Sequence, residues 1–172
     1  MRKARDLALI GVYTALLIGG QFALHAISGV EIVTLLAFVF AFCFGIRRGI
    51  LVAVAFSLLR CLVFGFFPPV LILYLIYYPL FMTIFGALGN LYGHKLNPKR
   101  HVLVIFIAVL MTIFFSLLDG LITPLYYGFG KTEWKAYLVT SLYTAVPQIL
   151  SVILSMAIGG RVILKALRRL QN

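Results

Sequence analysis

Residues 45–91, GIRRGILVAVAFSLLRCLVFGFFPPVLILYLIYYPLFMTIFGALGNL, decide the fold. Arg47 and Arg48 open this stretch, and an apolar run then continues to the turn residues Pro68 and Pro69. A second apolar run follows the turn, and Arg60 is the only charged residue in either run. Each run has the roughly 20 residues that a helix needs to cross a bilayer. The stretch therefore predicts two membrane-spanning helices joined by a tight turn.

The same pattern extends over the whole chain. Twelve of the 15 Lys and Arg residues lie in four clusters separated by long apolar stretches: Arg2/Lys3/Arg5, Arg47/Arg48, Lys95/Lys99/Arg100 and Arg161/Lys165/Arg168/Arg169. The alternate connections carry almost no Lys or Arg, so the positive-inside rule predicts that all four clusters and both termini are cytoplasmic. The apolar runs are continuous rather than alternating, which favours helices over a barrel. The six predicted spans are 7–24, 31–45, 49–66, 70–91, 102–125 and 136–160.

Composition indicates the class of protein. The hydrophobic fraction is 63% and the charged fraction 11%, values far outside the soluble globular range. Six spans in 172 residues leave no room for a soluble domain, so residues 1–172 are expected to form one compact, all-helical membrane domain, with the first span retained rather than cleaved. The net charge of +11 is explained by cytoplasmic flanks facing anionic lipid headgroups, and nucleic-acid binding is not expected.

Several prolines fall at informative positions. Pro124 is expected to end the fifth span, whereas Pro79 and Pro147 lie inside the fourth and sixth. A proline inside a helix frees a backbone carbonyl and bends the helix. The bends are either tolerated kinks or broken helices that line a binding cavity, as in many transporters.

The unusual polar residues are predicted to converge on the external side. With the predicted topology, Arg60 is the twelfth residue of an outward span and Asp119 the eighteenth of another, so both lie in the outer half. A charge at that depth is costly unless it is paired or faces water. Arg60 and Asp119 are therefore either an ion pair that joins two spans or part of a water-accessible cup, with Arg60 able to bind a carboxylate, phosphate or carbonyl. The other candidate binding residues on this side are His25, Glu31, Tyr74, Tyr77, Tyr78, Trp134 and Gln148.

The aromatic candidates have two interpretations. Tyr and Trp favour membrane interfaces whatever their function, and this preference partly explains why Trp134 lies in a predicted outer loop. Tyr74 and Tyr78 share one helical face with Tyr77 beside it, several residues below the surface, and such a wall suits a flat, partly polar ligand. His25 is more simply an interfacial residue than a ligand, and no metal site is predicted because no second His or Cys lies within reach.

The first span carries a stripe of small side chains. These residues recur at spacings of three or four, namely Ala4, Ala8, Gly11, Ala15 and Gly19. Such a stripe lets another helix approach closely. The neighbour is either a helix of the same bundle or a partner protein, because the stripe begins in the basic cytoplasmic flank.

In size, topology and the Ala4/Ala8 pattern continued by Gly11 and Ala15, the chain resembles the S component of the energy-coupling factor (ECF) vitamin transporters of prokaryotes. This resemblance implies a plasma-membrane protein that binds a vitamin or its precursor from outside, without a cofactor or an ATPase of its own. It also implies docking of the first-helix stripe on a membrane coupling subunit, which is joined to two ATP-binding-cassette ATPase subunits. The Leu-Leu-Arg and Phe-Phe-Pro-Pro runs within residues 57–79 look most like S components proposed for cobalamin or its aromatic precursors.

Other classes of membrane protein fit less well. A cell-shape scaffold also has about six spans and no catalytic groups, but it needs no outward Arg–Asp–Tyr cluster. An enzyme is not expected, because the only deep carboxylate, Asp119, has no nucleophile, metal or positioned base beside it. A channel would need polar residues through the full depth, and the inner half here is nearly all apolar.

Overall fold

The structure, a computed structural model, describes residues 2–24, 32–93 and 96–171, with side chains for 4–24, 32–93, 96–160 and 162. The described chain is all-helical and contains no strand. Its five helices are α1 (Arg2–Leu24), α2 (Val33–Phe64), α3 (Pro68–Leu91), α4 (Pro98–Tyr127) and α5 (Lys131–Gln171). By length and composition, all five are apolar enough to cross a membrane.

Local sequence explains where several helices begin and end. Pro68 and Pro98 start α3 and α4, where a missing backbone N–H costs nothing. Gly128 ends α4 in the left-handed conformation, with φ 66° and ψ 39°. The prediction that Pro124 ends the fifth span is wrong, because α4 continues to Tyr127 and the carbonyl of Pro124 accepts the Phe129 N–H at 3.0 Å.

Helix α2 contains both the second and the third predicted spans. Its backbone leaves the helical conformation at Gly45, where φ is 79° and ψ is 179°. Only glycine adopts this conformation without strain. Among the described residues, α2 is therefore one of five helices, and it consists of a first segment (33–44) and a second segment (46–64) on either side of Gly45.

The order of contacts between α2 and α3 reverses at Gly45. In the first segment Phe38 packs edge-to-face on Phe85, and the carbonyl of Phe42 faces Gly89. In the second segment, by contrast, Ile46 faces Gly86, Gly49 faces Met82, and Phe56 packs on Tyr78. A Cβ at Gly86 would lie 2.8 Å from the Ile46 nitrogen, so the absence of a side chain lets the two backbones meet here.

Helix α1 packs along both segments of α2. The Tyr13 hydroxyl donates a hydrogen bond to the Leu36 carbonyl at 2.9 Å, and its ring packs on Phe40. Along the second segment, the residue numbers of the contacting pairs increase together on both helices, from an Asp6–Arg48 ion pair of 2.8 Å to a Phe22–Phe64 ring contact. The two helical segments therefore run in the same direction. The N-terminal end of α1 therefore lies beside Gly45, and its C-terminal end lies near Gly65.

Helices α4 and α5 run antiparallel. Near the start of α4, buried His101 makes a 2.9 Å hydrogen bond to the Met156 carbonyl. At its other end, the indole Nε1–H of Trp134 donates to the Gly120 carbonyl at 2.9 Å. Phe115 connects α4 to α3 through ring contacts with the tyrosines.

These contacts define two ends of the bundle. The Gly45 end contains Gly45 and the start of α1 and α4, and the Gly65 end contains Gly65 and the start of α5. The basic side chains described at the Gly45 end are Arg5, Arg47, Arg48, Lys99 and Arg100. The candidate side chains Arg60, Tyr74, Asp119 and Trp134 lie toward the Gly65 end.

Candidate functional site

The guanidinium of Arg60 lies inside the bundle toward the Gly65 end. Its Cζ is 4.4 Å from the centroid of the Tyr74 ring and 5.4 Å from that of Phe64. Both rings present a π face that attracts a cation. Yet the Nε and Nη1 atoms of Arg60 are buried and have no hydrogen-bond partner among the described residues. The Arg60 side chain therefore keeps two buried donors without an acceptor among the described residues.

Gln21 brings a third unsatisfied polar atom to the same place. From α1, its Nε2 donates a hydrogen bond to the Tyr74 hydroxyl at 3.1 Å. Its Oε1 is buried and has no hydrogen-bond partner in the described structure. Tyr74 thus contacts Gln21 at its hydroxyl and Arg60 over its ring, so side chains from α1, α2 and α3 meet here. We call Gln21, Arg60 and Tyr74 the polar triad.

The triad combines donors with an acceptor. A buried, unpaired polar group costs about 1–3 kcal/mol, and a charged one more. Three such atoms around one tyrosine are unusual, because buried polar groups in folded proteins are nearly always paired. A ligand that carries a carbonyl or carboxylate for Arg60 and an N–H or O–H for Gln21 would satisfy all of them.

The three span-four tyrosines are buried among aromatic rings. Tyr74, Tyr77 and Tyr78 are 7%, 3% and 5% exposed and pack against Phe56 and Phe115. The cavity that Tyr77 and Tyr78 line with Thr112 and Phe115 measures about 10 Å³, which is close to the minimum for one water molecule. In this structure these tyrosines form a packed aromatic core rather than the wall of an open cup.

Asp119 has its own partners and is not paired with Arg60. One carboxylate oxygen accepts a hydrogen bond from the Thr123 hydroxyl and the other from the Tyr137 hydroxyl, each at 2.8 Å. The only ion pair between described side chains that the structure contains is Asp6–Arg48. Asp119 therefore connects α4 to α5, and the ion-pair alternative for Arg60 and Asp119 is not observed.

The remaining candidates are spread over the chain. Trp134 is partly buried, and its hydrogen bond to Gly120 lies one turn from the Asp119–Tyr137 contact. Gln148 is partly buried midway along α5. His25 and Glu31 lie outside the described residues.

The small-residue stripe of α1 faces away from the bundle. Ala4, Ala8, Gly11, Ala15 and Gly19 are all exposed. A Cβ added at Gly11 or at Gly19 would meet no atom within 4 Å. Of the two interpretations of this stripe, packing inside the bundle is therefore not the arrangement seen.

Sequence reasoning missed Gln21, although a signal was present. Gln21 is an amide inside a predicted span, at the outer depth already assigned to Arg60 and Asp119. The depth argument that selected Gln148 would have selected it too. No group of three or more His, Cys, Asp or Glu residues within the described ranges could hold a metal ion, and Cys43 and Cys61 are buried and not joined in a disulfide.

Comparison with known proteins identifies no relative. No protein family, curated protein or solved structure matches the chain. Interpretation of its function therefore rests on the residues and contacts described above.

Proposed function

We propose that this protein is the substrate-capturing subunit of a prokaryotic ECF-type ABC importer. In this proposal it binds a vitamin or vitamin precursor from outside the cell, with cobalamin or an aromatic precursor of it as the leading candidate. The observation that carries the proposal is the polar triad, in which buried donors of Arg60 and a buried acceptor of Gln21, beside Tyr74, have no hydrogen-bond partner within the described parts of the chain. A scaffold without a ligand would leave these atoms unexplained.

The proposed topology has six spans with both termini in the cytoplasm. The reversal of contacts at Gly45 supports it, because α2 then crosses the membrane twice. The described basic side chains at the Gly45 end support a cytoplasmic position for that end. The triad would then lie in the outer half of the plasma membrane, where a ligand from outside reaches it.

The chemistry of the triad favours a largely uncharged heterocycle. One Arg and one Gln suffice to bind a carbonyl or carboxylate next to an N–H or O–H, whereas a phosphomonoester, which carries up to about two negative charges at pH 7, would call for more cationic groups. Aromatic residues surround the polar atoms and suit a flat ring.

The exposed stripe of α1 supports docking on a coupling subunit. Its small side chains leave the α1 backbone accessible to a helix of that subunit, which in turn binds two ATPase subunits. No ATP hydrolysis by the isolated protein is expected.

Substitution of Ala8 tests the proposed function. We expect Ala8→Leu to retain ligand binding but to abolish vitamin uptake and co-purification with the coupling subunit, because the added side chain separates the two helices. Ala157→Leu is the matched control, since Ala157 is an exposed alanine toward the Gly45 end of a different helix, α5. Normal uptake by Ala8→Leu would remove the docking role from the stripe.

A further inference from the structure

A cavity lies at the Gly45 end, far from the triad. It measures about 630 Å³ and is bounded by the start of α1, the break in α2 and the end of α3. This volume falls in the range of small-molecule sites, whereas the cavity beside the tyrosines is close to one water in size. We call it the Gly45 cleft; its lining residues are Asp6, Ile10, Phe44, Gly45, Ile46, Arg47, Arg48, Leu51 and Asn90.

The lining of the Gly45 cleft is layered. On α1, Asp6 is followed one turn deeper by Ile10, and on α2, Arg47 is followed one turn deeper by Leu51. These two helical segments run in the same direction, so the two polar residues form one layer and the two apolar residues form the next. One helical turn separates the layers by about 5.4 Å. This order matches a molecule with a polar head at the surface and a hydrocarbon body below it.

The charge of the cleft favours an anion. Arg48 is paired with Asp6 at 2.8 Å, and the two charges offset each other. Arg47 is exposed, has no ion-pair partner among the described residues, and lines the cleft. The Asn90 amide also lines the cleft, with its oxygen 3.6 Å from the position that a Cβ on Gly45 would take. An Arg guanidinium is well suited to a phosphate because it offers two parallel N–H donors.

We propose that the Gly45 cleft binds one anionic phospholipid, with its phosphate at Arg47 and its upper acyl chain against Ile10 and Leu51. The Gly45 cleft lies at one end of the helix bundle, so in a bilayer it opens at the depth of the lipid headgroups. At that depth anionic lipids are attracted to basic residues. The inference uses the membrane placement of the Gly45 end and is independent of what the triad binds.

Native mass spectrometry tests the proposal on detergent-purified protein mixed with phosphatidylglycerol or phosphatidylcholine. We expect one retained phosphatidylglycerol and a clear preference over phosphatidylcholine. Arg47→Gln should weaken phosphatidylglycerol retention about fivefold, the effect of one Arg at an anionic surface. Arg100→Gln is the matched control, because it removes the same charge from an exposed residue at the same end but outside the cleft. It should leave retention unchanged.

Three results would overturn the proposal. Equal loss in Arg47→Gln and Arg100→Gln would show general attraction to basic residues, and equal retention of the two lipids would remove the anionic preference. Displacement of the lipid by inorganic phosphate alone would indicate a site for free phosphate. Leu51→Asn should also reduce retention, since it places an amide in the apolar layer, and thermal melts of all variants check that the fold is intact.

Discussion

Replacing Arg60 by methionine should stabilise the ligand-free protein while abolishing ligand binding. Methionine is unbranched and close to the aliphatic part of arginine in shape, so it can fill the space beside Tyr74. The substitution removes two buried donors, Nε and Nη1, for which the described residues supply no acceptor. It also removes the contacts of the guanidinium with the Tyr74 and Phe64 rings.

Removal of the unpaired donors stabilises the protein, whereas loss of the cation–π contacts destabilises it, and the stabilisation is the larger of the two free-energy changes. Two unpaired buried donors cost about 2–6 kcal/mol together, and the lost cation–π contacts offset about 2 kcal/mol of this. A net gain of about 2 kcal/mol corresponds to a rise of about 4–8 °C in Tm for a chain of this length. Binding should fall below detection, because the ligand loses its charged partner.

The assay is a thermal melt in detergent, with and without added vitamin, and Arg100→Met is the control. The Arg100 guanidinium also lies over a ring, that of Tyr92, with Cζ 4.8 Å from the centroid, but its side chain is exposed. Its replacement should leave Tm unchanged or slightly lower, with ligand binding intact. A lower Tm for Arg60→Met than for Arg100→Met would refute the reasoning, because Arg60 would then stabilise the fold rather than await a ligand.

Two further predictions test the packing of the bundle. Gly89→Ala should destabilise by about 3 kcal/mol, near the upper end for overpacking, since its Cβ would press on the Phe42 carbonyl and lie 2.9 Å from the Phe42 Cα. In Gly11→Ala the new Cβ would have no atom within 4 Å, so this variant should raise Tm slightly. A fall in Tm for Gly11→Ala but not for Gly89→Ala would contradict the packing described. Asp119→Ala and Tyr137→Phe should each lower Tm, and the loss in the double variant should be smaller than the sum of the two single losses, because each substitution removes the same Tyr137–Asp119 hydrogen bond. Fully additive effects in this double-mutant cycle would show that the two side chains are not coupled.

The sequence was sufficient to predict the helices and the region where the backbone of α2 leaves the helical conformation. Long apolar runs predict helices whatever their neighbours, and the Gly45–Gly49 region interrupts such a run next to two arginines. In the structure the two runs form the two segments of α2, which follow each other directly because the non-helical conformation of one glycine, Gly45, changes the chain direction without a loop. Periodicity and composition do not report the φ and ψ of one residue.

The contacts of the candidate site could be predicted only in part. Topology gives the depth of a residue but not the rotation of its helix, so it placed Arg60 and Asp119 at similar depth without showing whether they meet. In the structure, the helices that carry them face different neighbours, Tyr74 for Arg60 and Tyr137 for Asp119. The burial of the tyrosines could not be predicted from the sequence either, because it depends on how α3 and α4 bring Phe115 against them.

The most direct test of the proposed function is mass spectrometry of small molecules extracted from the purified protein. The account predicts one heterocyclic compound bound by the wild-type protein and absent from Arg60→Met prepared in the same way. A wild-type protein that carries no such compound, and whose Tm does not change with any vitamin of a panel, would contradict it.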